Sequence, residues 1–271
     1  NPTSSASFII KIESSMPHKK LFIAILIIFI IGGFIFVIHK ARQPAKGMVA
    51  FVIDDWGYNR ENIEILFQIK RPVTLAILPN LRYSRYTAET ARRKSKLYDV
   101  ILHLPLESKS GDAEEPSTIK CNMAKKKIIS ILDKAINSVP GSIGVSNHQG
   151  SMATEDKKTM QVILTELKKR GLFFMDSLTS PDSVCQEIAK RLNLKYAKRD
   201  VFLDLTDESN KKNIRSYIKG QLNELASIAL REGYAIGIGH NKEVTLTVLR
   251  DTIPELEAMG IKVVPLKRLV R

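Results

Sequence analysis

Residues 49–78 read VAFVIDDWGYNRENIEILFQIKRPVTLAIL. Two short apolar runs, Val49 to Asp54 and Val73 to Leu78, flank an amphipathic stretch, the pattern of a strand, a helix and a second strand. The beat continues downstream. Val100 to Pro105, Ser142 to Asn147, Leu172 to Asp176, Val201 to Leu205, Tyr234 to Gly239 and Lys262 to Pro265 read as further strands. The two longer intervals hold the polar loop SKSGDAEEPST (108–118) and a long helix near Asn213 to Glu232. Other helices show themselves by spacing: Met160, Ile163, Leu164 and Leu167 precede Gly171, and Ile253, Leu256 and Met259 precede Gly260, a C′ glycine. Seven or eight such units predict an α/β fold, an irregular (β/α) barrel over 48–271. A doubly wound open sheet is the alternative. It is weakened because no GxGxxG follows the first strand, and Gly237 and Gly239 lead into His240 rather than a phosphate cradle.

The chain has 271 residues, 44% of them hydrophobic, which excludes a low-complexity polymer and a disulfide-stapled miniprotein. Cys121 and Cys185 form no CxxC pair, so a zinc ribbon and a thioredoxin-like redox motif are also excluded. Formal net charge is +14, of which +9 lies from Gly47 onward. With no RNP-like aromatic motif and no Cys/His finger, that charge points away from nucleic acid and toward an anionic polymer or membrane surface.

Upstream, Leu21 to Val37 reads LFIAILIIFIIGGFIFV, without a charge. At ~1.5 Å per residue a helix of that length approaches the ~30 Å hydrocarbon core. The expected layout is a Ser-rich tail over 1–20, with Met16 an alternative start, one transmembrane helix over 21–38 and a linker over 39–47. His39, Lys40 and Arg42 follow the run in place of small residues, which favours an uncleaved anchor over a signal peptide. Basic residues stand on both sides, so the positive-inside rule barely decides orientation.

Of five histidines, His18 and His39 flank the apolar run; His103, His148 and His240 all fall at or near strand ends. Asp54-Asp55 closes the first strand, Asp176 the fifth, and Arg199, Asp200 and Asp204 surround the sixth. Each alone reads as a structural group, since Asp after a strand is a common helix cap. Together at one barrel mouth, imidazoles and carboxylates form a favoured zinc ligand set. Neighbouring carboxylates point to opposite faces of an extended chain, but where the strand turns, one can reach a metal and the other can serve as a base.

These residues resemble the divergent polysaccharide deacetylase family, relatives of the NodB-type carbohydrate esterases. The resemblance rests on VAFVIDDWG, VTLAILP, ILHLPLE, GVSNHQGS, FFMDSLT, RDVFLD and GYAIGIGH, in that order over 48–271. It implies a membrane-anchored, metal-dependent hydrolase that removes acetyl groups from an N-acetylated polysaccharide or oligosaccharide. The domain would lie outside the cytoplasm, in the periplasm. It further implies Asp55, His103 and His148 as ligands of a divalent ion, zinc by preference, Asp54 as base and His240 as acid. Glu107, Asn147, Ser151, Asp176, Arg199 and Asp200 are expected to orient these groups or touch substrate. Two departures stand out. Glu107 occupies the place four residues after His103 where relatives carry a second His, so His148 and Glu107 compete as third ligand; Asn241 replaces an expected Pro. Trp56 and Tyr58 are candidates for stacking on sugar rings. A non-catalytic glycan-binding or envelope scaffold protein is the alternative reading.

Overall fold

A computed structural model of the chain describes residues 45–111, 113–206 and 212–271, together with Ile23 and Ile27. Apart from Ile23 and Ile27, the transmembrane span expected at 21–38 lies outside the described residues. Among those described, no helix is long and apolar enough to cross a membrane.

Ala45–Arg271 forms one compact unit. Its strands are β1 (Gly47–Trp56), β2 (Val73–Ile77), β3 (Tyr98–Leu106), β4 (Gly144–Gln149), β5 (Phe173–Asp176), β6 (Tyr196–Lys198), β7 (Val201–Phe202), β8 (Tyr234–His240) and β9 (Ile261–Val263). Its helices are α1 (Ile63–Gln68), α2 (Ser84–Lys94), α3 (Lys125–Ser138), α4 (Lys157–Lys169), α5 (Cys185–Leu192), α6 (Ile214–Glu232) and α7 (Glu243–Ala258). The strands run in the order β6-β5-β4-β3-β2-β1-β8-β7, every pairing parallel. On one edge of β1, residues 47–49 pair β9 while Val52 onward pairs β2.

Only Arg199 and Asp200 separate β6 from β7, although these strands end opposite edges of the sheet. The sheet therefore curls, its two edges bridged by this two-residue link and not by strand pairing. At that seam Arg199 N–H donates to Asp176 O of β5 (3.0 Å) and Asp200 N–H to Ile236 O of β8 (2.9 Å). This is a curled, parallel α/β half-barrel, in keeping with the irregular (β/α) barrel expected, with nine strands among the described residues rather than seven or eight. The extra strand, β6, is Tyr-Ala-Lys between Lys195 and Arg199, too short and polar to carry a hydrophobic period, and the strand expected to reach Leu205 stops at Phe202.

Strand alternation sorts the core into two layers. Ala50, Val52, Ala76, Ile101, Met175, Ile236 and Ile238 point inward, where Leu266 and Leu269 of the tail plug the barrel's base. Val49, Phe51, Ile53, Leu75, Leu102 and Val145 point outward against the helices. Every residue of both layers lies within 49–269, so the unit contains its own core. Gly171 and Gly260 take positive φ (66° and 91°) one residue past the helix C-caps, as their sequence positions predict.

Candidate metal and catalytic centre

The same alternation builds the site. Following Ala50 and Val52, Asp54 falls on the inward phase of β1; His103 follows Ile101 on β3, and His240 follows Ile236 and Ile238 on β8. Asp54 is paired in register with His240, and His103 with Ser146 of β4, two residues before His148. Asp55 belongs to the wrong phase. A β-bulge corrects this: between Ile53 and Trp56 the register with β2 slips, and Asp55 takes the left-handed conformation at φ 65°. The extra residue re-aims the strand, as bulges do beside active sites, and brings both carboxylates to one mouth.

Asp55, His103 and His148 each offer a ligand atom, and the three atoms lie within 4.8 Å of one another. Asp55 Oδ1 is 3.1 Å from His148 Nδ1 and 3.5 Å from His103 Nε2, which also stands 3.5 Å from Asp54 Oδ2. The two rings meet edge to face at 5.0 Å. His103 Nδ1 is 2.8 Å from Ser146 Oγ, a partner that fixes the ring and leaves Nε2 facing the carboxylates. Oδ1 of Asp54 is buried with no hydrogen-bond partner among the described residues, and buried Oδ1 of Asp55 has only its imidazole contacts with His103 and His148. Burying such oxygens without compensation is costly. A divalent cation would relieve that cost, and two imidazoles with a carboxylate are a donor set that suits one. The residues present therefore fit the expected ion.

Electrostatics separates the two aspartates. Burial pushes the Asp54 carboxyl up against the opposing pull of His103 and His240. Burial acts on Asp55 too, but the imidazoles of His103 and His148 hold it far below the usual carboxylate range. Across the mouth, His240 Nδ1 is 2.6 Å from Asp204 Oδ1, while Asp204 Oδ2 accepts from His240 N–H (3.0 Å) and Thr245 Oγ (2.6 Å). Burial disfavours the imidazolium, yet this carboxylate pushes the His240 pKa up to about 9. Asp204 in turn lies below its ordinary value despite burial. The sequence sets Asp204 beside Arg199 and Asp200 at the sixth strand but assigns it no role of its own. Its signal was a strand-end acid beside a strand-end His, but the pairing bridges 36 positions and needs β7 and β8 to be neighbours.

The other expected site residues are engaged elsewhere. Glu107 accepts Cys121 N–H at 2.8 Å and pins the 107–123 loop, so His148 and not Glu107 joins the cluster. Asn147 and Asp176 fall on outward phases. Asn147 accepts from Ser177 N–H (2.9 Å) and donates to Gln149 O (2.8 Å); Asp176 accepts from Leu178 N–H (2.8 Å), Ser183 Oγ (2.6 Å) and Tyr196 OH (3.1 Å). Arg199 binds the carbonyls of Ser177 and Leu178 (2.8 and 2.9 Å) and lies over Phe202, whose ring stacks on His240. Asp200 accepts Ile236 N–H (2.7 Å), four positions below His240 on β8, away from the mouth. Ser151 accepts Lys109 N–H (2.9 Å) and contacts Ser108 Oγ (3.1 Å), joining two mouth loops. Trp56 is fully buried, which removes it as a sugar platform; Tyr58 is half exposed, its hydroxyl on Glu115.

Comparison with known proteins agrees with this fold. The sequence model of the family described as divergent polysaccharide deacetylase matches residues 51–270. The uncharacterized protein YibQ of Escherichia coli is 32% identical over 210 residues, 78% of this chain and 63% of YibQ, so the chain spans less than two thirds of that relative. The crystal structure of the uncharacterized protein ATU2773 from Agrobacterium tumefaciens superposes with a TM-score of 0.76 at 24% identity, covering 84% of this chain and 91% of that one. The catalytic domain of a peptidoglycan N-acetylglucosamine deacetylase from Eubacterium rectale shares the fold at a TM-score of 0.50 and 14% identity, covering 81% and 88%.

Proposed function

Because the chain belongs to the divergent polysaccharide deacetylase family, we propose that its mouth hydrolyses the acetamide of an N-acetylated glycan, with a divalent ion, zinc by preference, held by Asp55, His103 and His148. The observation that carries this reading is the convergence of those three ligand atoms within 4.8 Å beside a buried, unpartnered Asp54 oxygen. When bound, such an ion polarises a carbonyl and makes water more acidic. The low pKa of Asp55 keeps it an anionic ligand. Asp54, raised by burial, is the stronger base of the pair and takes a proton from the attacking water. His240, held as an imidazolium with Nδ1 locked on Asp204, gives its Nε2 proton to the nitrogen. The C–N bond breaks, acetate and the free amine leave, and water has supplied the oxygen.

The apolar run at 21–37 supports an N-terminal membrane anchor, and it is the glycan substrate class that favours a barrel outside the cytoplasm. Incubating residues 45–271 with N-acetylated oligosaccharides and zinc should release acetate, and His240→Ala should abolish the release. Glycan binding without acetate from the native unit would replace this reading with that of a non-catalytic glycan-binding protein.

A further inference from the structure

Charge is sorted between the two ends of the barrel. The segments leading into strands lie at the base, opposite the mouth: 45–46, 69–72, 95–97, 139–143, 170–172, 193–195, 233 and 259–260. With the tail 264–271, and setting aside the Arg199-Asp200 link between β6 and β7, they carry nine Lys and Arg and no Asp or Glu. The described segments leaving strands toward helices lie at the mouth: 57–62, 78–83, 107–111, 113–124, 150–156, 177–184, 203–206, 212–213 and 241–242. They carry six Lys and Arg against eight Asp and Glu. Of the nine basal cations, seven are exposed. Arg71 and Arg170 pair with carboxylates on neighbouring helices and Lys267 with Asp99, but Lys46, Lys96, Lys195 and Arg268 have no ion-pair partner among the described residues.

The base is also hollowed. Two adjoining cavities of about 410 Å³ each share Leu194. One has Leu172, Phe173 and Val270 in its lining and Lys168, Lys195 and Lys267 among its polar groups. The other sits over the seam, where the two residues between β6 and β7 replace a covering helix. Ala197, Ile236 and Leu269 supply its apolar lining, with Lys190, Lys198 and Arg271 alongside. Its one acid, Asp200, already accepts Ile236 N–H.

We propose that this base docks on an anionic phospholipid bilayer, headgroup phosphates meeting the lysines and arginines and the first acyl carbons meeting the apolar linings. A soluble polyanion would use the cations alone and leave those linings unfilled. Lys46 N–H donates to Gly260 O (3.0 Å), so the chain enters the barrel at this same end. The surface is separate from the proposed hydrolysis and stands without it.

The test is co-sedimentation of residues 45–271 with vesicles of phosphatidylcholine alone and of phosphatidylcholine with phosphatidylglycerol. Binding should require phosphatidylglycerol and weaken with salt. Lys96→Glu/Lys195→Glu/Arg268→Glu should weaken it by at least about 100-fold, since each basic residue near an anionic surface is worth roughly fivefold and the three carboxylates add repulsion. The charge-matched control Lys125→Glu/Lys126→Glu/Lys127→Glu, on α3 beside the mouth, should lose far less. If a variant fails to fold, hydrogen exchange of the native unit on vesicles decides, with slowed exchange expected at 193–195 and 264–271. No binding, equal binding to neutral vesicles, equal loss in both variants or protection at the mouth overturns the proposal. Tighter face-dependent binding to heparin than to anionic vesicles would overturn it in favour of a polymer.

Discussion

Replacing Asp204 by Asn tests the pairing on which the acid role of His240 depends. The substitution keeps the shape and one oxygen but removes the charge that holds the His240 pKa at about 9. Burial, which alone lowers the imidazolium, then prevails, and the pKa should fall to about 6.5 or below. A shift of that size corresponds to about 3 kcal/mol. At pH 7.5 the protonated fraction of His240 should drop from roughly 97% to roughly 9%, giving about a tenfold loss of turnover that is recovered near pH 5.5. The assay is a titration of the His240 ring by NMR in metal-free 45–271, native and variant, beside the alkaline limb of acetate release. If His240 of Asp204→Asn still titrates near 9, Asp204 does not set its charge and the acid assignment loses its basis. A loss of turnover equal at every pH would mark Asp204 as merely structural.

The same pair makes native stability pH-dependent. The folded pKa of His240, about 9, lies above its ordinary 6.5, so its contribution is complete below pH 6.5 and is lost as pH rises through 9. Urea denaturation of the metal-free unit should show a fall of about 2–3 kcal/mol over that window, and Asp204→Asn should flatten it. His148→Ala should abolish stoichiometric zinc binding measured by calorimetry, whereas Glu107→Gln should retain it, because that side chain serves Cys121 N–H. Ser146→Ala should weaken zinc affinity by about 10–100-fold without abolishing it, having removed the partner of His103 Nδ1. Gly150→Ala should cost about 1–3 kcal/mol in urea denaturation: φ is +92°, and a Cβ would stand 2.9 Å from Leu106 Cβ.

Much of the site is legible in the sequence because period-2 alternation carries chemistry as well as hydrophobicity. Ala50-Val52-Asp54, Ile101-His103 and Ile236-Ile238-His240 each continue an apolar inward phase into a titratable residue. The same count, carried on from Met175, sets Asp176 on the opposite phase, where it binds Ser183 and Tyr196. Proximity to a strand end, without phase, drew Asp176 and Asn147 into the expected site. Two features lie beyond alternation. The bulge that turns Asp55 inward depends on the register between β1 and β2, a tertiary property with no local marker. The seam brings β6 and β7 together across two residues with no helix between, so the interval expected to hold one strand holds two short ones. Asp204 follows from the second feature, since only after β7 is seated on β8 does it meet His240.

The central claim is that one ion is shared by Asp55, His103 and His148. Anomalous diffraction at the zinc edge from zinc-soaked crystals of 45–271 tests it most directly. A single strong peak is expected at about 2.0–2.2 Å from an Asp55 oxygen, from His103 Nε2 and from a ring nitrogen of His148. A peak ligated by Glu107, a peak remote from the mouth, or no peak at saturating zinc would contradict the account.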